Sequence, residues 1–224
     1  MNYQIIVFWV LFTLWALLFF GSYKKSYPTS SKSKDIAVDA FFIAIIAVMG
    51  FIPQVGYISI LPWLSLTLCH LPVLIGAYLY GWKKGTLYGL AFGITSWIEA
   101  LLAGTGFNAL FIVPWVSVLP RLLFGFLSGL AFQLLRKTPK IYTNGVAVGV
   151  LAALLTCLHT ALVFLDLYVF YPSLIGNYFA SKDPIVGGVA LTFLGLIALG
   201  MAGEASLAAI IVPLVGKAVR KIAK

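Results

Sequence analysis

Long runs of apolar residues dominate the pattern of this chain. The first, Tyr3 to Gly21, precedes a polar linker rich in serine and lysine, and six further runs follow. A helix needs about 20 mostly apolar residues to cross a bilayer, and the runs lack the period-two alternation of membrane barrel strands. The pattern therefore predicts an all-α integral membrane protein: six core transmembrane helices preceded by one extra helix. The six core runs lie at about 36–54, 67–81, 86–103, 113–135, 143–170 and 184–215.

The segment between the first two core runs differs from the rest. Pro53, Pro62 and Pro72 bracket the stretch QVGYISILPWLSLTLCHLP, and a proline inside a helix removes a hydrogen bond and clashes with the preceding turn. We expect a loop here, partly re-entrant. The chain divides into an extra N-terminal helix with its basic linker, residues 1–35, and a six-helix membrane domain, residues 36–224.

Composition and charge support a membrane location and set an orientation. Hydrophobic residues make up 62% of the chain and charged residues 9%, whereas about a quarter of a soluble domain is charged. The net charge of +9 comes from residues in short loops and tails, which orient helices in the cell membrane rather than bind nucleic acid. With six core spans, these basic residues lie on the same side of the membrane. That side is then cytoplasmic and includes the C-terminus, while Lys182 and Asp183 lie outside. The basic residues of the core domain and its flanks that this places on the cytoplasmic side are Lys32, Lys34, Lys83, Lys84, Arg136, Lys137, Lys140, Lys217, Arg220, Lys221 and Lys224.

Small residues form stripes at helical spacing. Ala37, Ala40, Ala44 and Ala47 share one face of the first core helix, and in lipid such a face lets another backbone approach closely. Either packing within this protein or docking of a partner subunit explains it. We assign the glycine rows of later helices to internal packing; they are Gly81, Gly85, Gly89 and Gly93, Gly125 with Gly129, and Gly145 with Gly149.

One arginine lies deep in an apolar run. Arg121 is about eight residues into the fourth core span, or about 12 Å below its outer end, and ionisable residues at such depth are costly and informative. Pro120 beside it predicts a locally irregular helix. Two explanations stay open: an ion pair with Glu99 or Asp166, or capture of an anionic ligand.

Polar and aromatic residues gather at the outer ends of the predicted spans. His70, Asn108 and Arg121 combine with interfacial aromatics such as Trp115, and this combination predicts a pocket that opens outward. We expect His159, which is deeper, to be a hydrogen-bonded core histidine. Glu204 is expected near the cytoplasmic end of the last span, with a local partner.

No motif for catalysis or metal binding accompanies these residues. The sequence has no GxxxxGK[ST] phosphate loop, no HExxH and no Cys/His cluster, which are the motifs of common ATPases and metal sites. We therefore expect a subunit without enzymatic activity or cofactor. A membrane enzyme lacking recognisable motifs and a structural assembly subunit remain alternatives.

Two sequence blocks resemble a known family. The blocks HLPVLIGAYLYGWKKGTLYGLAFG and VPWVSVLPRLLFGFLSGL are similar to the substrate-binding S component of energy-coupling factor (ECF) vitamin transporters, and the resemblance covers about residues 36–215. It is most like the pantothenate-type members, with folate, cobalamin and pyridoxine types as alternatives. The extra helix at 3–21 departs from the six-helix pattern of that family.

The resemblance implies a mechanism and a set of roles. An S component binds a vitamin from outside, docks on a membrane coupling protein and reorients in the bilayer, while two cytoplasmic ATPase subunits drive the cycle. Carried onto this chain, the alanine stripe becomes the docking face and Arg121 the partner of a vitamin carboxylate. The other residues implied to line the pocket are Trp63, Thr67, His70, Asn108 and Trp115.

Overall fold

The computed structural model describes residues 32–61, 64–103, 106–171 and 184–222. The predicted extra helix at 3–21 and the side chain of Trp63 lie outside the described residues. The chain divides into two compact units, Met1–Phe41 and Phe42–Lys224, and the second contains nearly all the elements considered below.

Each of the six core runs is helical, with bounds close to those predicted. Three described helices or parts of helices are long and apolar enough to span a membrane: Pro114–Arg136, Gly145–Phe170 and Ile197–Val219. The helices are α1 (Lys32–Phe51), α2 (Pro53–Gly56), α3 (His70–Tyr80), α4 (Trp82–Ala103), α5 (Pro114–Arg136), α6 (Pro139–Tyr142), α7 (Gly145–Phe170) and α8 (Pro184–Ile222), with a 3-10 helix at Gly106–Ile112.

The proline-bracketed segment is more regular than the predicted loop. After α2 it forms an antiparallel hairpin of β1 (Tyr57–Leu61) and β2 (Leu64–Thr67), in which Tyr57 pairs with Thr67. The two strands pair with each other, and the segment YISIL is rich in residues that favour strands. A short β-structure thus precedes α3, while the other elements in the described part of the chain are helical.

Glycines let α4 and α5 pack with their backbones in contact. A Cβ added to Gly89 would lie 2.5 Å from the carbonyl oxygen of Arg121 and 3.0 Å from the Cα of Gly125, closer than real side chains pack. One added to Gly93 would lie 2.8 Å from the Cα of Val118. Gly149 approaches Ala209 of α8 in the same way. The prediction that these glycines serve internal packing is confirmed.

Helix α3 lies against several neighbours. It contacts α4, α5 and α8, while α5 also contacts α7 and α7 packs along α8. Its first five residues, His70 to Leu74, are all buried. The start of α3 therefore faces a space shared by several helices.

The far end of α3 is fixed by hydrogen bonds. The hydroxyl of Tyr78 donates to the carbonyl of Tyr142 at 3.0 Å, and the hydroxyl of Tyr142 donates back to the carbonyl of Tyr78 at 2.9 Å. Arg136 Nη2 donates to the carbonyls of Tyr78 and Leu79 at 3.1 and 2.9 Å. These contacts satisfy carbonyls that a helix end leaves without intrahelical partners.

Within the larger unit, α1 presents two different faces. Phe42, Ile46 and Gly50 recur every four residues and are buried, with the ring of Phe42 stacked on Tyr88 at 4.8 Å. Ala44 is exposed. Ala44 therefore turns away from the face that packs on the bundle, while Ala47 is partly buried.

Candidate functional site

Two histidines from distant parts of the chain meet in the interior. His70 begins α3 and His159 lies in α7, with ring centres 6.3 Å apart and planes inclined by 22°. His70 is fully buried and His159 is 7% exposed. Phe124 and Phe92 flank His159 at 4.8 and 5.6 Å. The two imidazoles thus lie in an aromatic environment supplied by α4 and α5.

Three ring nitrogens of this pair have no hydrogen-bond partner among the described residues. They are both nitrogens of His70 and Nε2 of His159. The main chain of Thr67 lies beside the His70 ring, but not in hydrogen-bonding geometry within the described part of the chain. The prediction of a core histidine at 159 is confirmed by its burial, whereas no described residue forms the expected hydrogen bond with Nε2.

Pro120 and Arg121 act together inside α5. Pro120 has no N–H, so the carbonyl of Val116, four residues earlier, loses its helical partner. Arg121 Nη1 donates to that carbonyl at 3.1 Å and to the carbonyl of Ser117 at 3.2 Å. The arginine therefore repairs the irregularity that the adjacent proline creates, and its guanidinium is held close to its own helix.

The guanidinium of Arg121 is 8% exposed and lies over two aromatic rings. Its Cζ is 4.8 Å from the ring centre of Phe111 and 5.8 Å from that of Phe92. It also acts electrostatically on Glu99 and Asp166. Both carboxylates named from the sequence are thus within range of this charge. Its desolvated setting makes electrostatic attraction stronger than in water.

Two hydrogen bonds from side chains of other elements fix the 3-10 helix, which carries Phe111 beneath the Arg121 guanidinium. Ser117 Oγ donates to the carbonyl of Phe111 at 2.9 Å, and the hydroxyl of Tyr171 donates to the carbonyl of Leu110 at 3.2 Å. Burial raises the pKa of Tyr171, with a smaller contribution from Asp166, so the phenol keeps the proton that it donates. The ring beneath Arg121 is therefore fixed by α5 and by the end of α7.

Glu204 links the hairpin to α8, and the prediction of a local partner for it is wrong. Its Oε1 accepts a hydrogen bond from the backbone N–H of Thr67 at 2.7 Å, across 137 residues of sequence. A Cβ added to neighbouring Gly203 would lie 3.0 Å from Leu66, so the hairpin packs closely there. Glu204 also lies in the first half of the apolar stretch Ile197–Val219. The carboxylate therefore anchors the segment that leads into His70.

A family model for the substrate-specific component of ECF transporters matches residues 34–216. The chain belongs to this family. It is similar to the pantothenic acid transporter PanT of Lactococcus lactis subsp. cremoris, with 32% identity over 158 residues, or 64% of this chain and 76% of the relative. It is also similar to the pantothenate transporter PanT of Leuconostoc mesenteroides subsp. mesenteroides, with 28% identity over 141 residues, or 61% of this chain and 69% of the relative.

The family assignment gives the chain its general role. A substrate-specific component of a transporter is a transport subunit rather than an enzyme, and its apolar helices make this one a multi-pass membrane protein. The match also confirms the resemblance, whose predicted range of residues 36–215 nearly coincides with the matched one. The described residues hold no group of three or more His, Cys, Asp or Glu side chains able to bind a metal ion.

The structure brings together only some of the site residues that the sequence of this S component predicts. Arg121 lies over the ring of Phe92, while His70 stacks on His159, which contacts the same ring. Thr67 lies beside His70. The ring centre of Trp115 is 6.0 Å from that of Phe170, in a cluster that also contains Phe111. Asn108 belongs to the 3-10 helix, but its side chain is outside the described structure, as is Trp63.

Sequence reasoning missed the aromatic residues that join these groups. Phe92, Phe111 and Phe124 contact Arg121 or His159, yet nothing in the sequence separates them from the other phenylalanines among the chain's 17. Glu204 did carry a usable indication, because an ionisable residue inside a membrane helix marks a functional or structural partner.

Proposed function

We propose that this S component binds pantothenate and delivers it to an ECF importer. The observation that carries the proposal is the likeness to two transporters named for this vitamin, at 32% and 28% identity. The chemistry of the site supports it: pantothenate is a carboxylic acid, and Arg121 is a buried cation. A planar guanidinium binds a carboxylate better than an ammonium does, because it donates two parallel hydrogen bonds.

The partners follow from the family and from what this sequence lacks. We propose that a membrane coupling protein and two cytoplasmic ATPase subunits drive uptake, since this chain has no phosphate-binding loop. The docking face is the stripe of Ala37, Ala40, Ala44 and Ala47. In its support, Ala44 is exposed on the side of α1 that faces away from Phe42 and Ile46, and small residues allow close contact between membrane helices.

Orientation is testable by labelling. The charge asymmetry predicts that α3 ends on the cytoplasmic side together with the C-terminus. Single cysteines at Lys137 and Lys140, which are both exposed, should therefore react with a membrane-impermeant reagent only in inverted vesicles, and one at Lys182 only in intact cells. Labelling of positions 137 and 182 from the same side would contradict six core spans.

The proposed function is tested by co-expression with an ECF coupling protein and its two ATPases. We expect the chain to copurify with them and the complex, in proteoliposomes, to accumulate labelled pantothenate only when ATP is supplied. A matched complex without this chain is the control. Copurification without pantothenate uptake, but with uptake of folate, cobalamin or pyridoxine, would assign another vitamin; failure to associate at all would favour an assembly subunit or an enzyme.

A further inference from the structure

The three ring nitrogens of His70 and His159 without described partners need an explanation. Leaving a buried polar group without a hydrogen bond costs free energy comparable to the bond it forgoes. Both rings are at least nine-tenths buried, at 0% and 7% exposure. They belong to α3 and α7, and the two histidines are 89 positions apart in the sequence. The fold thus brings two imidazoles together without supplying partners among the described residues.

The chemistry of the pair selects the kind of partner. A neutral imidazole has one N–H donor and one acceptor nitrogen, so two rings side by side present both. A hydroxyl or an amide also combines a donor with an acceptor and can satisfy both kinds of nitrogen. A carboxylate only accepts, and a cationic group would be repelled by Arg121, whose charge acts on His159.

The histidine pair lies close to Arg121, the residue proposed to bind the substrate carboxylate. His159 and the guanidinium of Arg121 lie 5.6 and 5.8 Å from the ring centre of the same residue, Phe92. His159 and the guanidinium thus share one aromatic neighbour, and a small molecule in contact with that ring would lie near both. Phe124, 4.8 Å from His159, adds an apolar wall beside the histidine.

We infer that His70 and His159 bind the uncharged hydroxyl or amide groups of the substrate, at the end opposite the carboxylate. The inference rests on the proposed function and extends it: the substrate class becomes a small carboxylic acid whose far end carries uncharged hydrogen-bonding groups. Pantothenate, with a carboxylate at one end and two hydroxyls with an amide toward the other, belongs to this class.

The test compares three probes on the purified full chain: pantothenate, an analogue with both hydroxyls replaced by hydrogen, and pantothenol, in which an alcohol replaces the carboxylate. We expect the wild type to prefer pantothenate over the hydrogen analogue by about tenfold or more, the scale of one unsatisfied buried group. His159→Phe should lose this preference while keeping the preference for pantothenate over pantothenol.

Two further variants keep the test decisive. His159→Ala removes the same nitrogens without adding bulk, and should behave like His159→Phe if the larger ring disturbs folding. Thr156→Val is the matched control: it lies one turn away on α7, its hydroxyl bonds the carbonyl of Ala152 at 3.0 Å, and it should keep both preferences. A folded His159 variant with the wild-type preference for the hydroxyls would overturn the inference alone. A wild type that does not bind pantothenate would overturn the proposed function as well.

Discussion

Replacing Arg121 by lysine is expected to weaken pantothenate binding by about 1–3 kcal/mol, the scale of hydrogen bonds to charged groups. Lysine keeps the positive charge but loses the planar fork that pairs with a carboxylate. Arg121→Ala should weaken binding further, because it removes the charge as well. Isothermal titration of the purified variants measures both losses, and pantothenol should bind more weakly than pantothenate in the wild type but with equal affinity in Arg121→Ala.

Arg136 serves as the control that separates the effect of Arg121 on ligand binding from its effect on the stability of α5. Arg121 also satisfies the carbonyl of Val116, so its loss lowers stability in addition to affinity. Arg136, on the same helix, likewise donates from one terminal nitrogen to two main-chain carbonyls. Arg136→Lys should lower the melting temperature with pantothenate affinity unchanged. Equal affinity of the wild type for pantothenate and pantothenol would remove Arg121 from the site and favour an uncharged vitamin such as pyridoxine.

Placing leucine at Ala40 and Ala44 together should abolish uptake while leaving pantothenate binding intact. The two positions share one face of α1, and bulk there separates backbones that small residues let meet. Uptake by the reconstituted complex should fall to the level of vesicles without ATP. Binding by the isolated variant should equal that of the wild type, since Arg121, His70 and His159 are untouched.

The control is an exposed alanine elsewhere on the membrane domain. Ala161 of α7 is exposed, and Ala161→Leu should preserve both uptake and binding. If expression and binding of the Ala40/Ala44 variant collapse together, the stripe serves packing within the protein and the docking proposal is wrong. The two outcomes correspond to the two explanations that the sequence leaves open.

The helices were predictable because the bilayer imposes a length on them. Runs such as 113–135 and 143–170 matched α5 and α7 to within two residues at each end. The hairpin was not predictable by that argument: it has strands of five and four residues, and its pairing depends on contacts across a turn rather than on hydrophobic length. Prolines there indicated correctly that no continuous helix could form.

The site was predictable only where a residue is costly in lipid. His70 and Arg121 stood out as ionisable groups in apolar runs. The structure places Arg121 over the ring of Phe92 and His70 beside His159, which contacts the same ring. The partner of Glu204 could not be deduced, because the bond to Thr67 depends on how α8 packs against a hairpin 137 residues away in sequence. Phe92 itself was indistinguishable from lipid-facing phenylalanines.

The most direct test of the account is the binding of labelled pantothenate to the purified chain alone, without partner subunits. We predict saturable binding of one pantothenate per chain, competed by unlabelled pantothenate and not by an equal concentration of pantothenol. The contradictory result is a preparation with a cooperative melting transition that shows no saturable pantothenate binding, or that binds an uncharged vitamin in its place.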